Sequence, residues 1–83
     1  MQCFIYKSLR TDYLYLYVTK KDDFSDVPEV LVNRMGKMEF VMALELLPEQ
    51  KLAKEDAKKV IEQLKNNGFF LQLPPTNGHE LLN

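Results

Sequence analysis

Residues 13–31, YLYLYVTKKDDFSDVPEVL, decide the fold because a strand pattern changes into a helix start within this stretch. Three tyrosines alternate with three aliphatic side chains from Tyr13 to Val18. Side chains alternate between the two faces of a strand, so both faces of this predicted strand are apolar. A sheet that is apolar on both faces needs a covering layer on each, which helices supply.

Three further segments have the β-branched and aromatic content and the period of two that are typical of strands: residues 2–7, 38–46 and 69–73. The polar stretch SLRTD between the first two strands has the length of a hairpin connection, so we expect these strands to pair. The alternation in the third strand predicts one shared apolar side, formed by Met38, Phe40, Met42, Leu44 and Leu46.

The first predicted helix begins within the letters SDVPE. Ser25 or Asp26 is expected to cap it by accepting hydrogen bonds from free N-terminal amides, and Pro28 suits its first turn. Gly36 is expected to end the helix in a left-handed conformation. The predicted inward face of this helix consists of Val27, Val30, Leu31 and Met35.

The second predicted helix has one apolar stripe at spacings i, i+3, i+4 and i+7, formed by Ala57, Val60, Ile61 and Leu64. Gly68 is expected to end it in the left-handed conformation. The last strand then stops at Pro74 and Pro75, because proline cannot donate to a strand ladder. The predicted order is β-β-α-β-α-β, an α+β protein with a four-stranded, largely antiparallel sheet.

Composition narrows the class of protein. The chain has 83 residues, 46% of them hydrophobic and 28% charged, which suits one ordinary globular domain with one modest core. A net charge of −1 gives no general attraction to nucleic acid or to anionic lipid. The single cysteine excludes an internal disulfide, and we find no signal segment and no apolar run of bilayer length. We therefore expect a cytoplasmic protein without membrane binding.

Two motifs, YLYV.KKDDFS.VPE.L and GFFLQLPP, follow the opening MQCFIYKS in this β-β-α-β-α-β chain. In these features the chain resembles the bacterial YcgL family over residues 1–75. The resemblance implies one compact α/β/α sandwich domain, found mainly in gammaproteobacteria, with no established activity. Family members commonly extend further as a polar helical tail. Residues 76–83 of this chain are expected to be a loose tail, the alternative being a further short helix that begins at Leu81 and Leu82.

Two patterns in the sequence have features of ligand sites. The alternating tyrosines are able to stack on nucleic-acid bases, but such platforms work within a basic surround, so packing under a helix is the favoured interpretation. The carboxylates of Asp22, Asp23, Asp26 and Glu29 are oxygen ligands of the kind that hard cations take. Their spacing does not fit an EF-hand loop, so we predict helix capping and no metal site.

The sequence offers few side chains that could act as a nucleophile or a general base. Cys3 in a strand is typical of a small buried hydrophobic side chain, and no histidine is predicted beside it to serve as a base. His79 lies in the predicted tail, away from any predicted partner. The sequence therefore predicts no catalytic residue and no cofactor.

Two classes of function remain, and a third is kept as a second alternative. The first is a regulatory or protein-interaction module that uses an open sheet edge or the KKDDF loop, which comprises Lys20, Lys21, Asp22, Asp23 and Phe24. The second is an enzyme or small-ligand protein with a pocket between a helix and the sheet near Tyr17 and Gln72. The third is an RNA-associated protein. We expect a monomer with an unidentified protein partner.

Phe24 has a structural interpretation as well. As a hydrophobic staple it would pack onto the following helix while the charges around it stay solvated. The charged neighbours of Phe24 have no such explanation, and loops held by a rigid scaffold often carry binding residues. The sequence leaves both interpretations open.

Overall fold

The computed structural model describes residues 1–50, 52 and 56–74. The chain forms β1 (Gln2–Ser8), β2 (Tyr15–Val18), α1 (Glu29–Met35), β3 (Met38–Glu45), α2 (Ala57–Asn67) and β4 (Phe69–Gln72). The predicted α+β class and the order of the six elements are confirmed. The predicted tail at residues 76–83 lies outside the described residues, as does Pro75.

The four strands form one sheet in the order β3-β1-β2-β4, and all neighbouring strands are antiparallel. The predicted hairpin of β1 and β2 is confirmed. β2 begins two residues later than predicted, because Tyr13 has a positive φ of 65° and cannot continue a strand. β3 and β4 therefore lie at the two edges of the sheet.

Ser8 connects the hairpin to α1. Its buried hydroxyl donates a hydrogen bond to the Met35 carbonyl at 2.6 Å. The same oxygen accepts hydrogen bonds from the N–H groups of Arg10 at 3.0 Å and Thr11 at 2.9 Å. The Ser8 side chain thus forms hydrogen bonds with main-chain groups of both the hairpin turn and the last turn of α1.

The sheet has a buried cluster on each face. The cluster that includes α2 contains Cys3, Ile5, Tyr17, Leu46, Val60, Ile61, Leu64 and Phe70. The cluster that includes α1 contains Tyr6, Leu14, Leu16, Val18, Val27 and Met35. The two-sided apolar pattern of β2 is thereby confirmed, with one helix packed on each face as in an α/β/α sandwich.

The predicted cap of α1 is wrong. Pro28 precedes the helix, and no side chain forms a capping hydrogen bond there. The Ser25 hydroxyl instead donates to Asp23 Oδ1 at 2.6 Å. The Asp26 side chain lies against Gly68, where an added Cβ would come within 2.6 Å of Asp26 Oδ2. The Ser25 hydroxyl is therefore used within the loop, and the Asp26 side chain lies beside the end of α2.

The predicted inward face of α1 is wrong at Val30, which is 70% exposed because a helix of seven residues has few positions that face the sheet. Val27 and Met35 are buried as predicted. Gly36 has the expected positive φ of 66°, but its ψ of −142° lies outside the left-handed helical region. Such a conformation is essentially restricted to glycine.

α2 matches its prediction closely. Asp56 Oδ1 accepts a hydrogen bond from the Lys58 N–H at 3.1 Å, and Gly68 ends the helix with φ 85° and ψ −3°. The four residues of the predicted apolar stripe are buried. No helix in the described part of the chain is long and apolar enough to cross a bilayer.

β3 contains a β-bulge that the sequence did not indicate. Met42 pairs with Ile5 and Phe40 pairs with Tyr6, so Val41 is an extra residue without a partner on β1. Phe40 therefore shares the α1 face with Tyr6, whereas Met42 shares the α2 face with Ile5. The prediction that Met38, Phe40, Met42, Leu44 and Leu46 share one side is wrong for this reason.

Candidate functional site

The KKDDF loop folds back onto β1 through Asp22. The Asp22 N–H donates to the Tyr6 hydroxyl oxygen at 2.6 Å, and that hydroxyl donates to Asp22 Oδ1 at 3.0 Å. Asp22 has a positive φ of 59°, a conformation that aspartate tolerates better than most residues. Burial raises the pKa of the Tyr6 hydroxyl above its ordinary value.

Aromatic contacts extend this arrangement to the sheet edge. The ring centroids of Tyr6 and Phe24 are 4.9 Å apart with an interplanar angle of 72°. Those of Tyr6 and Phe40 are 5.5 Å apart with an angle of 64°. Lys21 Nζ lies 4.7 Å from the centroid of the Phe40 ring, within the range of a cation–π interaction. The loop therefore supports Phe40, on the α1 face of β3, through its contacts with Tyr6.

Lys20 and Asp23 belong to the turn within the loop. The Asp23 N–H donates to the Lys20 carbonyl at 3.3 Å. Asp23 Oδ1 accepts hydrogen bonds from both the hydroxyl and the N–H of Ser25, and these bonds lower the pKa of its carboxyl. The loop is thus held by its own hydrogen bonds as well as by Tyr6.

Tyr17 and Gln72 lie on the opposite face of the sheet from Phe24. The Tyr17 hydroxyl donates to Gln72 Oε1 at 2.8 Å, and its ring packs edge-on against Phe70 at 5.6 Å. Tyr17 belongs to the α2 cluster, whereas Phe24 packs on the α1 cluster. The KKDDF loop and the two predicted pocket residues therefore lie on opposite faces and do not form one continuous surface.

Surface pockets occur elsewhere. A pocket of about 360 Å³ lies near the hairpin turn and is lined by Lys7, Ser8, Leu9, Asp12, Tyr13 and Tyr15. A pocket of about 270 Å³ lies beside α2 and is lined by Pro48, Lys58, Ile61, Glu62 and Lys65. Neither pocket is lined by Tyr17 or Gln72, so neither corresponds to the predicted ligand pocket. Residues 1–50, 52 and 56–74 contain no group of three or more acidic, histidine or cysteine side chains placed to hold a metal ion.

The largest exposed apolar feature of a strand is at the β3 edge. The five consecutive residues 39–43 are exposed, although they lie within a strand. Phe40 is 40% exposed, and Val41 and Met42 are each 44% exposed. Phe40 lies on the α1 face of this edge and Met42 on the α2 face, with Val41 at the bulge between them. We call these three side chains together with Lys21 the edge patch. The alternation predicts Phe40 and Met42 on one shared side, because neither the strand order nor the bulge is visible in it.

Comparison with known proteins gives one family. The family model of the YcgL domain matches residues 3–75. The chain is 48% identical over 75 residues to a YcgL domain-containing protein of Proteus mirabilis (strain HI4320). That alignment covers 90% of this chain and 77% of the relative. It is 52% identical over 75 residues to a YcgL domain-containing protein of Serratia proteamaculans (strain 568), with 90% and 83% covered.

A third relative is a much longer chain. The chain is 49% identical over 71 residues to a protein of Nitrosococcus oceani named "Putative HAD-like hydrolase". The alignment covers 86% of this chain but only 19% of that protein. A segment similar to this domain therefore occurs there within a much longer chain.

Proposed function

We propose that this chain, which belongs to the YcgL domain family, is a small protein-interaction module whose contact surface is the edge patch. The observation that carries the proposal is the exposure of three large apolar side chains in a row on an edge strand, each at 40% or more. Exposed apolar patches on sheet edges are sites of protein association, and proteins otherwise cover or charge them.

The loop beside the edge supports the same interpretation. Asp22 and Phe24 hold Tyr6, and Tyr6 in turn packs edge-on against Phe40. A side chain that is already positioned loses less conformational freedom when a partner binds. Lys21 adds a positive charge directly above this ring. Of the predicted loop residues, Lys21 therefore belongs to the edge patch, and Asp22 and Phe24 support it through Tyr6.

The Nitrosococcus oceani relative supports an accessory role. Its segment similar to this chain is joined to a remainder of about four-fifths of that protein. A domain that functions beside a larger partner is often joined to it in one chain. A hydrolase of the kind that the relative's name describes is accordingly one candidate partner. The cytoplasmic location expected from the sequence is part of the proposal.

The test is a comparison of two valine substitutions in the full chain. Val41→Lys places a charge in the centre of the edge patch, and Val30→Lys makes the same change at a 70% exposed position on α1. Immobilised wild-type and Val30→Lys chains are expected to retain the same proteins from a bacterial extract, as identified by mass spectrometry. The Val41→Lys chain is expected to lose a defined subset of them.

Identical sets for the two variants, at equal melting temperatures, would overturn the proposal. The same experiment with Gln72→Ala tests the alternative surface on the α2 face. Proteins that are lost with Gln72→Ala but retained with Val41→Lys would move the interaction site to that face.

A further inference from the structure

The hydrogen bonds at the two ends of β3 identify its open main-chain groups, those that pair with no other strand of the described residues. The Leu46 N–H donates to the Met1 carbonyl at 2.7 Å, and the Leu9 N–H donates to the Lys37 carbonyl at 2.8 Å. Hydrogen-bonded and non-hydrogen-bonded pairs alternate along an antiparallel ladder. By this alternation, the residues whose N–H and C=O groups point away from β1 are Met38, Phe40, Ala43 and Glu45.

The spacing of these open residues is irregular because of the bulge at Val41. They follow one another at two, three and two residues, whereas a regular strand presents its groups at every second residue. A regular strand therefore matches only half of this edge. The spacing is the same in both chain directions, so an antiparallel copy of β3 matches the whole edge.

We propose that β3 pairs with β3 of a second copy of this chain, joining two four-stranded sheets into one. Phe40 of each copy lies opposite Ala43 of the other, and Met38 lies opposite Glu45. The two-fold axis passes between Val41 and Met42. This inference rests on the proposed function, because it takes the edge patch as an interface and names its occupant.

The faces of the sheet agree with this register. Ala43 pairs with Phe4, and Phe40 pairs with Tyr6. Phe4 and Tyr6 both pack in the α1 cluster. Ala43 and Phe40 therefore lie on the same face, as opposed residues of antiparallel strands must. The small Ala43 side chain leaves room for the Phe40 ring of the second copy.

The charges agree as well. In this register, Glu39 lies opposite Leu44 of the second copy and Glu45 lies opposite Met38, so no two carboxylates are opposed. Like charges directly opposite each other destabilise a strand pair. A shift of one residue, centred on Met42, would place Glu39 opposite Glu45 and would also misalign the open main-chain groups. Only the proposed register satisfies both conditions.

Sedimentation velocity on the full chain tests the dimer. Because the interface is one strand from each copy, we expect a weak dimer that forms between about 1 µM and about 1 mM chain. Val41→Lys is expected to raise the dimer dissociation constant at least about tenfold, since it places two charges beside the axis. Val30→Lys is the matched control and is expected to sediment as the wild type does. A wild-type chain that stays monomeric up to about 1 mM overturns the inference.

Ala43→Pro tests whether pairing uses the main chain. The Ala43 N–H points away from β1, so proline there removes an open donor and leaves the β1–β3 ladder intact. The variant is expected to be monomeric with a melting temperature close to that of the wild type. A folded Ala43→Pro chain that still dimerises would show that the main chain does not form the contact.

Disulfide trapping tests the register. Phe40→Cys and Ala43→Cys chains are mixed and oxidised, and Cys3 does not interfere because it is fully buried. A disulfide requires Cα atoms within about 7 Å, which the proposed register provides only between position 40 of one copy and position 43 of the other. We expect cross-linked dimers in the mixture and not in either variant alone. Equal cross-linking in the separate variants overturns the register.

The two proposals fail in different ways. A monomeric wild-type chain that loses captured proteins with Val41→Lys would leave the proposed function standing and remove the second copy as occupant. A chain that neither dimerises nor loses proteins with Val41→Lys would remove both.

Discussion

β2 and β3 have similar sequences and opposite environments. In β2, Leu16 is 0% exposed, Val18 1% and Tyr17 7%. In β3, Phe40 is 40% exposed and Met42 44%. Both strands alternate large apolar side chains, but β2 lies between β1 and β4, whereas no strand of the described residues lies on the outer side of β3. Position in the sheet, more than composition, decides which of the two is buried.

The comparison separates residues that the fold needs from residues that it leaves exposed. The apolar side chains of β2 are fully used by the two cores, so they carry no argument for binding. Val41 and Met42 are apolar without being enclosed, and folding alone does not explain them.

Leu16→Ala and Met42→Ala form the most direct comparison. Removing the fully buried Leu16 side chain leaves a cavity in the core and is expected to lower the free energy of unfolding by about 2–5 kcal/mol. Met42 is 44% exposed, so Met42→Ala is expected to cost about 1 kcal/mol or less. Urea denaturation measures both. Equal losses would mean that the β3 edge is enclosed in solution.

Thiol reactivity gives a second comparison of the centre with the edge. Burial raises the pKa of the Cys3 thiol from 9.0 to about 11, so its reactive thiolate is depleted by about 100-fold at pH 8. Native Cys3 is expected to react with iodoacetamide at least about 100-fold more slowly than the same thiol in the unfolded chain. The added thiol of Val41→Cys is expected to react at the rate of an exposed cysteine. Mass spectrometry resolves the two sites.

Gly68→Ala tests a contact that the sequence did not reveal. Gly68 has a φ of 85°, and a Cβ would come within 2.6 Å of Asp26 Oδ2. The left-handed conformation alone costs an alanine about 1 kcal/mol, and the contact with Asp26 is expected to bring the loss to about 2 kcal/mol. Adding Asp26→Ala to Gly68→Ala is expected to recover the second part only. An unchanged denaturation midpoint in the single variant would remove the assignment of Gly68.

The elements with strong local signals could be predicted from sequence. The stripe of α2, its stop at Gly68 and the two apolar faces of β2 each follow from spacing and backbone preference within a few residues. The start of α1 could not be predicted, because Asp26 and Ser25 form contacts with Gly68 and Asp23 that compete with capping.

The candidate site depended on long-range features. Tyr6 contacts Asp22, Phe24 and Phe40, each of which is far from Tyr6 in sequence. No local sequence pattern predicts these contacts. The bulge at Val41 inverts the face of half of β3, and it becomes visible only once β1 is known to be the neighbour. The separation of Tyr17 from the KKDDF loop likewise follows from the strand faces and not from proximity in the chain.

Phe24→Ala and Asp22→Asn give the smallest expected effects and test the role of the loop. Phe24 packs edge-on against Tyr6 at 4.9 Å and is half-buried against the α1 cluster. Its loss is expected to lower the free energy of unfolding by about 1 kcal/mol, measured by urea denaturation. Asp22→Asn keeps an oxygen that accepts from the Tyr6 hydroxyl and tolerates the positive φ, so we expect a change within about 0.5 kcal/mol.

The same pair of variants distinguishes support from contact. If Phe24 acts through Tyr6 on Phe40, Phe24→Ala lowers stability and weakens capture at the edge patch together, while Asp22→Asn leaves both unchanged. If the loop touches the partner directly, both variants keep the fold and lose the captured proteins. A Phe24→Ala chain with wild-type stability and wild-type capture contradicts both roles. The β3 edge would then bind without support from the loop. The contrast between the buried side chains of β2 and the exposed side chains of β3 would rest on Phe40, Val41 and Met42 alone.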